Sequence, residues 1–321
     1  MLRLFVRRIL YGFLILNLMT VLLFVLVRLV PGDAVAIQLA DAAVSEERIA
    51  ELTAEFGLDV PIHSQLVDWY SGAITGDFGT SFSTGQSVAS MVFGRLPLTL
   101  ILTGLSVAIA IVLGIGAGVT SAIRRNGWVD NVVRFLSVLS LSLPNFWLGL
   151  MLLTITSVVW KWVPPLGWEG FVESPWTSIQ QLFMPALALG ASLGASIARL
   201  TRSSLLEVLG SDFIRTVRAK GAPERVVLYK HALRNSLIPV ITLIGIQIGA
   251  LLGGTVILES IFSLPGLGRE VFGALNRRDY PVLQMGAILY GAIFIVVNIA
   301  VDLSYGLVNP RMRVRANGGT S

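Results

Sequence analysis

The sequence predicts an all-α integral membrane protein with six transmembrane helices and a small helical extracytoplasmic insert after the first span. Three observations carry that prediction. Of the 321 residues, 54% are hydrophobic and only 13% are charged, where a soluble domain has about 25% charged residues. Six runs are apolar over the length a helix needs to cross the bilayer, roughly 20 residues for about 30 Å of hydrocarbon. Lysine and arginine are also unevenly placed. With both termini on the cytoplasmic side, 17 of the 24 fall in cytoplasmic segments and 7 outside, the bias by which positive loops stay inside.

The first span is expected near Ile9–Leu29, behind Arg3, Arg7 and Arg8. A cleavable leader has an apolar stretch of about 7–15 residues. This run is longer, so a retained helix is expected despite the small residues of D-A-V-A at 33–36. Residues 31–96 form the insert, acidic and too polar to span. Within it, S-E-E-R-I-A-E-L-T-A-E-F-G (45–57) reads as a helix. Ser45 is its N-cap, Ile49, Leu52 and Phe56 repeat at helical spacing, and Gly57 stops it. A second helix is expected over 61–74, with Pro61 in its first turn and Leu66, Trp69, Tyr70 and Ala73 along one side. The T-G-D-F-G-T-S-F-S-T-G that follows reads as loop, and His63 as a surface histidine.

The remaining spans are expected near Pro97–Val119, Val132–Trp160, Leu182–Leu205, Ser236–Leu258 and Val282–Val308. Pro144 and Pro239 should kink the third and fifth. Small residues recur four apart: Gly114 with Gly118, Gly190 with Gly194, and Gly245, Gly249 and Gly253 in the fifth span. Such spacing lets helix backbones approach closely in lipid. The last stripe suits either plain packing or a narrow path or partner helix.

Several chemistries are excluded. There are no cysteines, so disulfides and thiolate sites are absent. Two distant histidines, His63 and His231, make a metal site or triad within the chain a poor fit. The three lysines, Lys161, Lys220 and Lys230, are followed by Trp162, Gly221 and His231. No G-K-[S/T] exists, and therefore no phosphate loop for ATP. Ionisable groups within spans are few: Asp302, with Arg28 and Glu207 near span ends. That scarcity speaks against a carrier driven by protons or sodium, because charges at a helix centre are costly and kept for function.

One basic stretch, R-T-V-R-A-K-G-A-P-E-R-V-V-L-Y-K-H-A-L-R-N (215–235), stands between two apolar runs. Asp212–Lys220 fits a short helix capped by Ser211 or Asp212, with Arg218 and Lys220 in its last turn and Gly221 as its stop. Pro223 then suits the start of a second helix, with Glu224 behind it. That helix runs through Val226–Ile238 into the fifth span, bending at Pro239. The result is a helical hairpin at the membrane surface. It reads as a positive-inside loop or a docking element for a soluble protein. A DNA-binding helix-turn-helix is disfavoured, since no recognition helix is free of the fifth span.

These residues resemble the loop signature of binding-protein-dependent ABC importer permeases, in the dipeptide/oligopeptide/nickel branch. The first positions of the loop pattern fall on Arg215, Thr216 and Val217, and its glycine on Gly221. R-T-V-R-A-K-G-A-P-E is similar to the peptide-importer form except at Val217. Arg234 stands where the general pattern has a proline, and His231–Val240 continue as the narrower branch does. V-R-L-V-P-G-D (27–33), the insert, L-P-N-F-W-L-G (143–149) and G-G-T-V-I-L-E-S-I-F-S-L-P-G-L-G-R (253–269) resemble it too, so the likeness covers essentially the whole chain.

The resemblance implies a type I ABC importer permease (MetI-like) fold. It divides the chain into an N-terminal helix (1–30), the insert (31–96) and a permease core (97–321) carrying a coupling loop at 206–235. It implies a bacterial inner-membrane subunit that pairs with a homologous second permease, above two cytoplasmic ABC ATPase subunits and beneath an extracytoplasmic substrate-binding protein. ATP and Mg would be bound by the ATPases and no cofactor by this chain; nucleic acid is not a partner. By resemblance the ATPase contact is Arg215, Thr216, Val217, Arg218, Ala219, Lys220, Gly221, Ala222, Pro223 and Glu224. Polarity and span position suggest Asn145 and Gln247 for the translocation path. The rival readings are a self-sufficient secondary transporter or channel, and an intramembrane enzyme, for which no nucleophile–base pair is evident.

Overall fold

The computed structural model describes residues 2–29, 35 and 46–308. Ser45, nearly all of the 33–36 stretch, the side chain of Asp302 and the basic residues after Pro310 lie outside the described residues. The helices are α1 (Leu2–Leu29), α2 (Glu46–Glu55), α3 (Ile62–Thr75), α4 (Val88–Ile123), α5 (Trp128–Ser142), α6 (Asn145–Val159), α7 (Pro175–Leu209), α8 (Asp212–Ala219), α9 (Arg234–Ile261), α10 (Leu267–Arg277) and α11 (Tyr280–Val308). A π-helical segment, Val226–Leu233, leads into α9. Among the described residues, five helices are long and apolar enough to cross a membrane, and α5 with α6 makes a sixth span if the bent pair counts as one. Each of the six expected spans falls on one of these five helices or on the bent pair.

The third is not a kinked helix but a broken one. α5 and α6 meet at 107°. Leu143 and Pro144 are both extended (ψ 132 and 140). Proline lacks the N–H of a helical bond and its ring excludes the preceding residue from α space. The chain leaves the helix at Ser142 and restarts on the Pro144 carbonyl, which accepts from Leu148 N–H at 3.1 Å. Pro97, Pro185 and Pro239 by contrast lie within continuous helices. Just before Pro239 the same helix passes through π turns, where the i→i+5 bonding pattern widens it.

The chain folds into two compact units. Of the described residues, one takes 100–264 and 296–308; the other takes 2–29, 35, 46–99 and 265–295. The first is built around α7, whose Leu182, Leu189, Leu193, Ile197 and Leu205 are fully buried. The expected small-residue contacts are real here. A Cβ on Gly114 would lie 2.7 Å from the Gly194 carbonyl oxygen, and one on Gly190 would lie 2.6 Å from that of Ser106. α4 and α7 thus touch backbone to backbone, which only glycine permits. Gly253 behaves differently: a side chain there would meet nothing within 4 Å.

The second unit holds α1, the insert, the start of α4, α10 and the start of α11. Both insert helices form as expected and both end on left-handed glycines, Gly57 (φ +62) and Gly76 (φ +82). Tyr70 on α3 donates to Asn17 on α1 at 3.2 Å. The loop after α3 is tied down by a carboxylate. Asp279, fully buried, accepts from both Ser83 N–H (3.2 Å) and Ser83 Oγ (2.8 Å), and from Ser81 Oγ and Phe82 N–H. Phe82 also stacks on Phe56 of α2, with ring centroids 4.2 Å apart.

Candidate functional site: the loop after α7

α7 ends on Gly210, and Ser211 turns the chain into α8. The Ser211 hydroxyl does not cap α8. It donates back to Val208 O at 2.7 Å, which satisfies one of the last carbonyls of α7. α8 is amphipathic on the scale of two turns. Ile214 is fully buried against Val119 and Ala122 of α4, Leu205 of α7, and Val227 and Ala232 of the π segment. Burying an isoleucine contributes about 1.5–3 kcal/mol, enough to seat so short a helix.

The other face is open. Of the ten expected contact residues, Val217 and Ala222 are half-buried against the Ile214 cluster and the other eight are exposed. Phe213 is 49% exposed, with its ring edge-on to His231 at 6.0 Å. Gly221 has φ +80, a conformation side chains resist. Its N–H reaches Arg218 O at 2.9 Å. Pro223 precedes the next helix, and its carbonyl accepts from Val226 N–H (2.8 Å) and Val227 N–H (3.1 Å). The turn is bridged by a two-pronged ion pair, Arg218 Nη2 to Glu224 Oε1 at 2.6 Å and Nε to Oε2 at 3.1 Å. The bond from Arg218 holds Glu224 below its ordinary titration range, and Glu224 raises Arg218 in turn.

The hairpin is rooted rather than tethered. Val227 and Ala232, five residues apart, are both buried, as the i→i+5 spacing of a π turn allows. The segment then passes without interruption into α9. The turn after α8 is therefore followed by one continuous helix, Val226–Ile261, that enters the membrane span.

A second device escaped the sequence reading. Asp130, in the first turn of α5, is fully buried. It accepts from Arg202 of α7 through Nε (2.7 Å) and Nη2 (2.8 Å), from Ser121 Oγ of α4, and from the N–H of left-handed Asn126 (2.9 Å). Three helices are knotted at one carboxylate. Arg202 is one turn from Leu205, and Ser121 lies between Val119 and Ala122, so the knot adjoins the cluster that seats α8. Arg202 read simply as a positive-inside charge. A carboxylate just after R-R-N-G-W-V was the available signal.

The two polar residues expected on a path are both half-buried. Asn145 opens α6, its Nδ2 4.0 Å from where a Cβ of Gly254 on α9 would lie. Among the described residues, no hydrogen bond joins it to Gln247. Glu207 is exposed near the end of α7, and no group of metal-ligating side chains occurs among the described residues.

A bundle of apolar spans carrying a short, exposed, glycine-ended helix is the frame of a multi-pass membrane protein. The chain belongs to the family described as binding-protein-dependent transport system inner membrane component, which matches residues 110–314; the N-terminal component of such systems matches 1–103. It is a multi-pass inner-membrane permease subunit of an ABC importer. It is 40% identical over 315 residues to the dipeptide transport system permease protein DppB of Alkalihalophilus pseudofirmus, covering 92% of this chain and 94% of that protein. It is 40% identical over 317 residues to DppB of Escherichia coli K12, with the same coverages. It is 39% identical over 298 residues to the glutathione transport system permease protein GsiC of Salmonella choleraesuis, covering 93% and 94%. A chain of the inward-facing MetNI methionine ABC transporter shares the fold at TM-score 0.56 and 20% identity, over 68% of this chain and 96% of that one.

Proposed function

We propose that the chain forms half of the translocation path of an ATP-driven importer for di- or oligopeptides. It pairs with a homologous permease, while two ATPase subunits bind ATP and Mg and dock on residues 215–224. An extracytoplasmic binding protein delivers the peptide to the face carrying the insert, and both termini lie in the cytoplasm. The observation that carries this reading is the build of the α8 hairpin: an exposed face, one buried anchor at Ile214, and a continuous route into α9. Asn145 at the α5–α6 break and Gln247 on α9 are assigned to the path, because a broken span can turn polar groups toward it. The likeness to dipeptide and glutathione permeases supports a short peptide as cargo.

The test is uptake of labelled dipeptide, together with ATPase activity, by the reconstituted importer. Gly221→Pro forces φ near −65° where the turn needs +80; Glu224→Arg breaks the pair with Arg218. Both variants should insert normally and yet lose uptake and substrate-stimulated ATP hydrolysis, Gly221→Pro by more than tenfold. Wild-type transport by both would remove the docking role.

A further inference from the structure

Four of the chain's seven tryptophans, Trp160, Trp162, Trp168 and Trp176, stand where α6 passes into α7. The connecting segment is folded. Trp162 N–H reaches back to Thr156 O at 3.1 Å, Ser174 N–H bonds Gly170 O at 3.1 Å, and the Trp168 and Phe171 rings meet edge-on with centroids 5.6 Å apart. Pro164 is buried, and Trp162 and Trp168 are half-buried. The side turned away from the protein is apolar as well: Leu166 is 77% exposed and Val172 97%. Scattered single apolar residues on a surface need no explanation, but a contiguous apolar patch marks a contact.

The spans set the height of this patch. α6 carries no charged residue, and Lys161 is the first after it. In and before α7 no charge occurs between Glu173 and Arg199, a run of 25 residues (174–198). The hydrocarbon takes about 20 residues of helix, and charges are kept out of it by their cost. Wherever those residues sit in the run, Trp176 is at most three positions, about 4.5 Å, outside them. The exposed apolar surface also continues from the spans into the loop. Val158, Val159 and Trp160 lead in from α6, and Trp176, Ile179 and Phe183 lead out along α7, all of them exposed.

We propose that residues 160–176 are a lipid-binding anchor, lying in the headgroup layer at the end of α7 remote from α8, with Leu166 and Val172 set into the edge of the hydrocarbon. The partner is the bilayer surface. Tryptophan suits that layer because its ring is apolar and carries one polar N–H. Exposed Lys161, Glu169 and Glu173 serve headgroups and water on the remaining side. The anchor joins the broken span to the buried central helix of its unit, so it fixes the depth of both at one end. It requires that the chain span a bilayer and does not depend on the cargo.

The chain has no cysteine, so Leu166→Cys and Val172→Cys can each carry a single nitroxide. The references are Val67→Cys, exposed on α3, and Phe183→Cys, exposed on α7. The labelled importer, with any cysteines of its partner subunits replaced, is placed in vesicles of phosphatidylethanolamine and phosphatidylglycerol. Collisions with oxygen, which concentrates in lipid, are compared with collisions with a water-soluble nickel chelate. The oxygen-to-nickel ratio at 166 and 172 should exceed that at 67 by about fivefold or more, approach that at 183, and stay the same when the binding protein is added. A ratio equal to that at 67 would put the loop in water. Labels shut off from both reagents, or altered by the binding protein, would give the patch to a protein partner. Any of these results overturns the proposal. The wild-type importer supplies a check without variants. In vesicles containing phosphatidylethanolamine with a photoactivatable group next to the headgroup, crosslinks are expected within 160–176; crosslinks to other parts of the chain with none there would overturn the proposal as well.

Discussion

Replacing Asp130 with alanine should cost about 3 kcal/mol of stability. The carboxylate is fully buried and accepts two bonds from Arg202, at 2.7 and 2.8 Å, with Ser121 Oγ and the Asn126 N–H besides. Removing one partner of a buried ion pair costs about 3–5 kcal/mol, because the other charge is left behind without compensation. The Arg202 side chain is 20% exposed, so part of its charge can be hydrated, which puts the value at the low end of that range. The loss should not be additive. Asp130→Leu with Arg202→Met removes both charges and replaces them with apolar groups, a change that is often neutral in buried pairs. The double variant should regain most of what Asp130→Ala loses. Reversible unfolding of the purified chain in mixed detergent micelles measures both. An Asp130→Ala variant within 1 kcal/mol of wild type would refute the view that this carboxylate holds the three helix ends together. A double variant as unstable as the single would show that the shape of the pair matters, not its charge.

Two further outcomes follow from the same geometry. Pro144→Ala restores an N–H and frees Leu143 for helix, so spin labels at 135 and 155 should move apart as the 107° break opens; an unchanged distance would mean that packing alone sets the break. The Arg218–Glu224 bridge has a defined pH sense. Glu224 titrates below its unfolded value, so its contribution is full above the ordinary glutamate range near 4.3 and is lost as the pH falls through the lower, folded value. Both groups face solvent, so the effect is small. Spectra of a probe at 219 should be constant from about pH 8 to pH 5 and loosen only under stronger acid; loosening near neutrality would place the control elsewhere.

Much of this was legible because it depends on local chemistry. Apolar length gave the spans, Gly57 the end of α2, and Gly221 with Pro223 the turn after α8. The four-residue glycine spacing announced the α4–α7 contact, since backbone approach needs small residues whatever surrounds them. Pro144 and Pro239 show the limit. Both carry the same local conflict, yet one stands at a break in its span and the other within a continuous helix, a difference the local sequence does not announce. The π segment was read as α because Val227 and Ala232 look the same at either pitch until their neighbours are known. Asp130 and Asp279 were overlooked for a related reason: their arginine and serine partners lie 72 and up to 198 residues away, and a lone carboxylate near a helix end does not reveal what it will hold.

The single anchor of α8 has a practical meaning for how such machines are assembled and rebuilt. Ile214 and its half-buried companions Val217 and Ala222 face this chain, while Arg215, Thr216, Arg218, Ala219 and Lys220 face outward. The inward set packs on the permease itself; in the docking proposal the outward set is what the ATPase meets. The two sets occupy different faces of one eight-residue helix and the turn behind it, so they can drift or be exchanged independently. If the docking proposal holds, an engineer wishing to drive this permease with a foreign ATPase has a cassette of a few side chains to graft, without touching the membrane bundle.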